Sequence, residues 1–308
     1  MQITSLIVAE GMCPDIHLTL GSVKELSMEI VVVDIGMNKQ VRKMITTEYP
    51  AIVWQEMEKP EYVELIRQKT FQLASCPWIM LLDPDEYISP GLVTFIKQTN
   101  EDQTSSYFRF PRQNYIFGKW IAHSRWWPDY QIRLFKKDSI NWPTTLHAQP
   151  TLIGNGYLVG AFEDEKLEMN ASAIVHHNYT NVTQYLEKAI RYARVEAEGM
   201  NATDEQYTIV DACKKATGEF ISRFFSDRGY RDGVHGFALA ILQMFYSLLV
   251  YLFFWEKNGY PPSSQVQIMK AVKQLFVTTS KETYYWLHRS KLVKGMEGVV
   301  TRVKARVM

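Results

Sequence analysis

Residues Trp78-Ile-Met-Leu-Leu-Asp-Pro-Asp-Glu-Tyr87 constrain this chain more than any other stretch. The apolar run from Trp78 to Leu82 has no polar face, so it predicts a strand covered on both sides, as in a parallel sheet. Pro84 has no N–H for a ladder, so the strand should stop there and Asp83, Asp85 and Glu86 should lie beyond its carboxyl end. In an open α/β sheet that edge is where ligands bind. Asp83 and Asp85, on one short turn, are candidates to hold a hard divalent cation such as Mn²⁺ or Mg²⁺, which prefers oxygen ligands shared with phosphates. A solvated acidic turn is the plain alternative, because turns favour Asp.

The residues before this stretch alternate strand and helix. Ile3 to Val8 and Glu29 to Asp34 read as buried strands, with Ala51 to Trp54 as a short third. Helices are expected near Ile16 to Lys24, over Gln40 to Thr47 and over Tyr62 to Ser75, the last with Arg67 and Lys69 on a basic face. Such alternation predicts parallel strands and right-handed crossovers. Two of the strands end in an acid, Asp34 and Asp83, which favours a nucleotide site at their shared carboxyl edge.

After Pro90 the pattern changes. Tyr107 to Phe117 and Tyr130 to Phe135 alternate apolar and polar residues, as antiparallel or edge strands do. Between them lies a loop rich in aromatics and bases, with Trp126 and Trp127 beside Arg125; such side chains suit sugar or phosphate groups, or a hydrophobic plug over the sheet. His147, His176 and His177 are each either structural histidines or ligands. Val182 to Glu198 has a helical apolar stripe with capping residues ahead of it.

The C-terminal part holds a second distinctive run, residues 236–255, broken only by Gln243 and Ser247. It approaches the length that crosses a bilayer, and it also fits a helix in the membrane interface or the core helix of a soluble domain. Lys291 to Arg306 is basic and amphipathic, suited to anionic lipid or to a solvated tail. The chain of 308 residues has a formal charge of +1, so nothing argues for nucleic acid. Three widely spaced cysteines point away from a disulfide framework, and the N-terminus has no basic leader before an apolar run, so no secretory signal is expected.

The ordered series of motifs resembles family 2 glycosyltransferases. The acidic stretch is similar to their "W-I-L-x-L-D-A-D-E" segment. The series continues through Phe117-Gly-Lys-Trp, Trp127-Pro-Asp-Tyr-Gln-Ile-Arg-Leu-Phe135, Leu146-His147, His176-His-Asn-Tyr and Arg191-Tyr-Ala-Arg-Val-Glu-Ala197. It spans roughly residues 3–200 and is most similar to the subgroup that modifies lipopolysaccharide cores and other bacterial surface glycans. The resemblance implies an α/β fold of GT-A (Rossmann-like) type over 1–200, with a mixed central sheet, and a helical C-terminal region over 201–308. It implies an inverting, metal-dependent transfer from a nucleotide-sugar donor, UDP-linked, to a glycan or glycolipid acceptor. The expected location is the cytoplasmic face of the membrane.

Roles follow position by position. Glu10, Asp34, Arg67, Asp83, Pro84 and Asp85 fall where the family contacts the nucleotide-sugar. Asp83, Asp85 and His176 fall where it holds Mn²⁺ or Mg²⁺. Trp126, Trp127 and Arg133 are assigned to acceptor or phosphate contacts. Three departures stand out: Ala9-Glu10-Gly11 replaces Asn-Glu-Glu, Asp34-Ile-Gly-Met replaces Asp-Ser-Gly-Ser, and His147-Ala148 replaces His-Glu. The last leaves the catalytic base open among Asp129, His147 and Glu163. A scaffold that has lost its base is one alternative. A Mg²⁺-dependent phosphotransferase is another, although Asp83 lacks the following Thr and the place after the first strand which that chemistry uses.

Overall fold

A computed structural model describes residues 1–99, 104–144, 149–160, 172–200, 207–293, 297, 300, 301 and 304. Two compact units emerge, residues 1–115 with 128–178, and residues 116–127 with 179–308.

In the first unit the expected alternation is present. Strand β1 (Ile3–Gly11) leads through α1 (Ile16–Val23) to β2 (Glu29–Met37), through α2 (Lys39–Glu48) to β3 (Val53–Glu56), and through α3 (Glu64–Thr70) to β4 (Trp78–Leu82). β5 (Glu86–Ile88), α4 (Pro90–Gln98) and the long β6 (Ser105–Ile116) follow. Beyond the short β7 (Lys119–Trp120) of the second unit come β8 (Asp129–Lys136), β9 (Ile140–Asn141), β10 (Thr151–Leu152), β11 (Asn155–Leu158) and β12 (Ile174–Tyr179). The sheet is mixed. β3, β2, β1 and β4 are parallel neighbours, and β8, β6, β12 and β5 continue it, with β8 antiparallel to both β4 and β6 and β12 antiparallel to β5.

The apolar strands are continuous because both faces are covered. Ile7, Val32, Met80 and Leu82 pack with Ile16, Leu20 and Ile45 of α1 and α2 on one side. Leu6, Val8, Val31, Ile79 and Leu81 pack with Phe71 and Phe135 on the other. Side chains alternate across a strand, so one run fills two cores. Caps set where helices begin: Asn38 accepts hydrogen bonds from the N–H groups of Gln40 and Val41 at α2, and Ser89 caps α4 with Pro90 at its first turn. The helix expected over Tyr62–Ser75 is shorter. α3 ends at Thr70 and passes into a 3₁₀ turn, Phe71–Leu73, while the Thr70 hydroxyl donates to the Arg67 carbonyl at 2.7 Å.

The second unit is helical: α5 (Val182–Gly199), α6 (Ile209–Ile221), α7 (Val234–Lys257), α8 (Gln265–Val272) and α9 (Thr279–Arg289), the last two joined through a π-helical turn over Lys273–Thr278. Together with the first unit it gives the α/β architecture with a mixed sheet and a helical C-terminal region. α7 is long and apolar enough to cross a membrane by length and composition. It packs against α5 and α6, burying Leu239, Ala240, Ser247, Val250 and Tyr251. The Tyr246 hydroxyl donates to Glu196 on α5 at 2.6 Å, and Phe237, Ile241, Phe245 and Leu252 stay exposed.

The start of α7 depends on a close backbone approach. A Cβ on Gly236 would run into the carbonyl oxygen of Gly229, a backbone atom that cannot swing aside. Gly236→Ala should therefore cost about 1–3 kcal/mol, read as a lowered urea midpoint with an unchanged m-value. An unaltered midpoint would show that the turn ahead of α7 yields freely.

Candidate active site

Strand register assembles the site. β1 lies between β2 and β4, pairing Ala9 with Asp34 and Ile7 with Leu82. Asp34 and Asp83 therefore emerge at the carboxyl edge on either side of β1. On the far half of the sheet, β5 and β12 pair Glu86 with His176, and β6 and β8 pair Arg112 with Asp129.

These side chains form one continuous chain of charges and hydrogen bonds. Arg67, on α3, reaches Asp83 Oδ1 at 3.4 Å, and its guanidinium lies 4.9 Å from the Trp142 ring centre. Arg133 Nη2 donates to Asp83 Oδ2 at 2.6 Å and to Glu86 Oε1 at 2.7 Å. Glu86 has no exposed surface. Its Oε1 also accepts from Arg112 at 2.7 Å, and its Oε2 accepts from the Asp83 N–H at 3.2 Å. Arg112 then grips Asp129 Oδ2 through Nε and Nη2 at 2.9 and 2.6 Å. Asn114 Nδ2 and Gln131 Nε2 complete the Asp129 shell at 3.1 and 2.7 Å.

The end of this chain fixes a histidine. Asn114 must turn its amide nitrogen to Asp129, since a carboxylate only accepts. Its oxygen therefore faces His176 Nδ1 at 2.8 Å and Asn178 Nδ2 at 3.4 Å. Nδ1 of His176 is then the donor, and Nε2 is the nitrogen left to face Asp85. That nitrogen lies 3.6 Å from Asp85 Oδ2, too far for a hydrogen bond.

The charges set the protonation states. Burial pushes the Asp83 carboxyl up, but the guanidiniums of Arg133, Arg67 and Arg112 outweigh it and hold the group well below the usual carboxylate range. Glu86 shows the same contest, with burial and the Asp83 charge raising it and Arg133 and Arg112 winning. At Asp129 burial is overcome by Arg112 and by the bonds from Asn114 and Gln131, again lowering it.

Each expected site residue can now be located. Asp34 is buried, its Oδ1 accepting from the N–H groups of Gly36 and Met37 and its Oδ2 paired with Arg42 at 2.9 Å. Glu10, nearer solvent, pairs with Lys59. Arg67, Asp83, Asp85, Asp129, Arg133 and His176 come together in the first unit, with the Pro84 carbonyl accepting from Thr19. Trp126 and Trp127 belong to the second unit: Trp126 packs on the cluster of Ile116, Tyr185 and Leu239, and Trp127 meets Trp120 edge-on at 5.6 Å. His147 and Glu163 lie outside the described residues. Among the residues in place, Asp129 is a poor base, because four donors occupy its oxygens and keep it ionised. Arg112, Asn114 and Gln131 complete the site without having been singled out in the sequence, as does Glu86, which was expected at the strand end but given no role. Glu86 had a local signal within Asp-Pro-Asp-Glu, while the others are recruited only by register.

The expected divalent-metal site is represented by a partial set of donors. Among the described residues no group of three or more His, Cys, Asp and Glu side chains is arranged to hold an ion. Both oxygens of Asp83 are engaged by arginines, while Asp85 and His176 offer one oxygen and one nitrogen donor. Mg²⁺-type sites commonly use one or two carboxylates and leave other positions to phosphate and water. The Nδ1–H bond to Asn114 is the outer-shell contact that orients a ligating histidine. A cavity of about 370 Å³ is lined by Glu64, Tyr130, Gln131 and Trp142 among others; of these, Gln131 donates to Asp129 and Trp142 stacks with Arg67. A larger one of about 530 Å³ lies at the opposite strand ends, by Ser75, Pro77 and Lys137.

The fold and the site thus define an α/β protein with a charged, buried cluster at the carboxyl edge of its parallel strands. No protein-family model matches the chain. Among solved structures it is similar to S. aureus TarS at 11% identity and a TM-score of 0.42, covering 92% of this chain and spanning 55% of that one. To TarS residues 1–349 in complex with UDP-GlcNAc it has 10% identity and a TM-score of 0.43, covering 92% of this chain and 91% of that one. To GalNAc-T7 with UDP, GalNAc and Mn²⁺ it has 17% identity and a TM-score of 0.29 over 38% of this chain and 24% of that one. Similarity this low transfers neither a substrate nor a role for any residue.

The network makes a specific claim about charge balance. Arg133→Met leaves Asp83 and the fully buried Glu86 facing each other with one cation fewer, which should cost about 3–5 kcal/mol at pH 7. In the wild type these carboxylates titrate below their unfolded values. Their stabilisation is full above about pH 4 and is lost as pH falls through the folded values. The gap between variant and wild type should therefore narrow as pH drops from 7 to 3, in urea unfolding followed by circular dichroism. A gap that stays constant would show that Arg133 acts through packing alone.

Proposed function

We propose that this protein is a glycosyltransferase that moves a sugar from a nucleotide-sugar donor to a hydroxyl of a glycan or glycolipid acceptor, with Mn²⁺ or Mg²⁺ as cofactor. The observation that carries the reading is the Asp85–His176 pair, in which a carboxylate and an imidazole whose Nδ1 donates to Asn114 face each other at the sheet's carboxyl edge. The ordered motifs of residues 3–200, with their resemblance to family 2 glycosyltransferases, supply the reaction class.

In this reading Asp85 and His176 would hold the ion, which would supply Lewis-acid stabilisation of the departing nucleoside diphosphate. Arg67 and Arg133, each with a buried Nε that has no hydrogen-bond partner among the described residues, add positive charge where the phosphates approach. Asp83 keeps those guanidiniums in place. Asp34 borders the base or ribose at the end of β2, and the cavity between Trp142 and Gln131 offers an aromatic wall and polar groups to a sugar. We further propose a UDP-linked donor, inversion at the anomeric carbon and a role in surface-polysaccharide synthesis. The acceptor's proton needs a base more basic than Asp129 as it is held here, which leaves His147 and Glu163.

Asp85→Ala should abolish metal-dependent hydrolysis or transfer of a nucleotide-sugar, and undiminished turnover in that variant would overturn the assignment. Asn114→Leu should weaken Mn²⁺ binding by roughly 10–100-fold through the freed imidazole, measured by titration calorimetry with nucleoside diphosphate present. Unchanged affinity would show that His176 is not a ligand.

A further inference from the structure

The α8–α9 segment covers α6 with little of its own surface. Within α8 only Ala271 is buried. Val266 and Met269 are each 64% exposed and Phe276 is 68% exposed, with Ile268, Val272 and Val277 also open. Lys270 and Lys273 line the same shallow groove as Val266 and Met269. From residue 265 to 293 there are five lysines and arginines, Lys270, Lys273, Lys281, Arg289 and Lys291, against the single acid Glu282.

That imbalance sets the segment apart from the rest of the molecule. Nine of the 34 Lys and Arg residues but only two of the 33 Asp and Glu residues fall in 265–308, giving that stretch a formal charge of +7 and residues 1–264 one of −6. We propose that the exposed α8–α9 face docks on an anionic lipid surface, with Val266, Met269 and Phe276 entering the headgroup layer and Lys270 and Lys273 meeting lipid phosphates. Apolar side chains flanked by long basic ones match that boundary, because the lysine stems lie along apolar surface while their ammonium groups stay in the charged layer. A second copy of the chain is the wrong partner on charge grounds, since a two-fold contact would set the two basic faces against each other. The exposed stripe of α7 (Phe237, Ile241, Phe245 and Leu252) has no lysine or arginine among or between its residues.

The proposal stands apart from glycosyl transfer and is tested separately. The full chain is sedimented with vesicles of phosphatidylcholine alone or of phosphatidylcholine mixed with phosphatidylglycerol. Binding is expected only to the mixed vesicles and should weaken as salt shortens the screening length below about 10 Å. Met269→Glu with Phe276→Glu, and separately Lys270→Glu with Lys273→Glu, should each lower the bound fraction's partition coefficient by more than about tenfold. Both pairs change exposed positions, so far-ultraviolet circular dichroism and melting temperature should match the wild type. Equal partition into neutral vesicles, or no binding to either kind, overturns the proposal. So does full retention of binding in both double variants, or its loss only with Phe245→Glu, which moves the contact to α7. Self-association in the ultracentrifuge that Phe276→Glu abolishes, in place of lipid binding, assigns the face to a second copy and likewise overturns it.

Discussion

The salt link between Arg133 and Glu86 is the contact on which the rest of the site depends. Glu86 has no exposed surface and Arg133 only 4%, so neither can exchange its partner for water. From this pair the charges alternate outward, through Asp83 to Arg67 on one side and through Arg112 to Asp129 on the other. Three guanidiniums face three carboxylates, and losing Arg133 leaves the fully buried Glu86 with one cation fewer. Such a network adds little net stability, because desolvation offsets most of the Coulombic gain. What it does provide is position.

Position matters most where the chain ends. Asp129 sets the rotation of the Asn114 amide, the amide makes His176 Nδ1 a donor, and Nε2 is left facing Asp85. A group selected in the sequence as a candidate base is thus a structural anchor for a candidate ligand. The arginines that pair with Asp83 also concentrate positive charge at the carboxyl edge of the parallel strands. Arrangement of fixed charges ahead of the reaction is how most enzymes stabilise charge that develops later.

Legibility in the sequence followed the range of the interactions. The apolar runs of β2 and β4, their terminal acids and the helices between them are set by neighbours a few residues away, and they lie close to where the pattern put them. The resemblance also drew Arg67, Asp83, Asp85 and His176 into one site. The partners Arg112, Asn114 and Gln131 left no local trace, because the pairings of β6 with β8 and of β5 with β12 join residues far apart in sequence. Trp126 and Trp127 suited either ligand contacts or a hydrophobic plug in the sequence; Trp126 packs on a hydrophobic cluster of the second unit and Trp127 meets Trp120. The apolar run of α7 was visible, whereas its packing on α5 and α6 was not. The stripe of Val266, Met269 and Phe276 has helical spacing, but that it stays exposed depends on what packs on α8, which no local pattern records.

The central claim is that Asp85 and His176, held by this network, make a metal-dependent nucleotide site. The most direct measurement is the melting temperature with uridine diphosphate, with Mn²⁺ or with both. At about 100 times Kd a ligand adds about 2.7 kcal/mol to the folded state, so a rise of several degrees is predicted only when both are present and none in His176→Ala. A rise of equal size with uridine diphosphate and a chelator, or one retained in His176→Ala, would contradict the account.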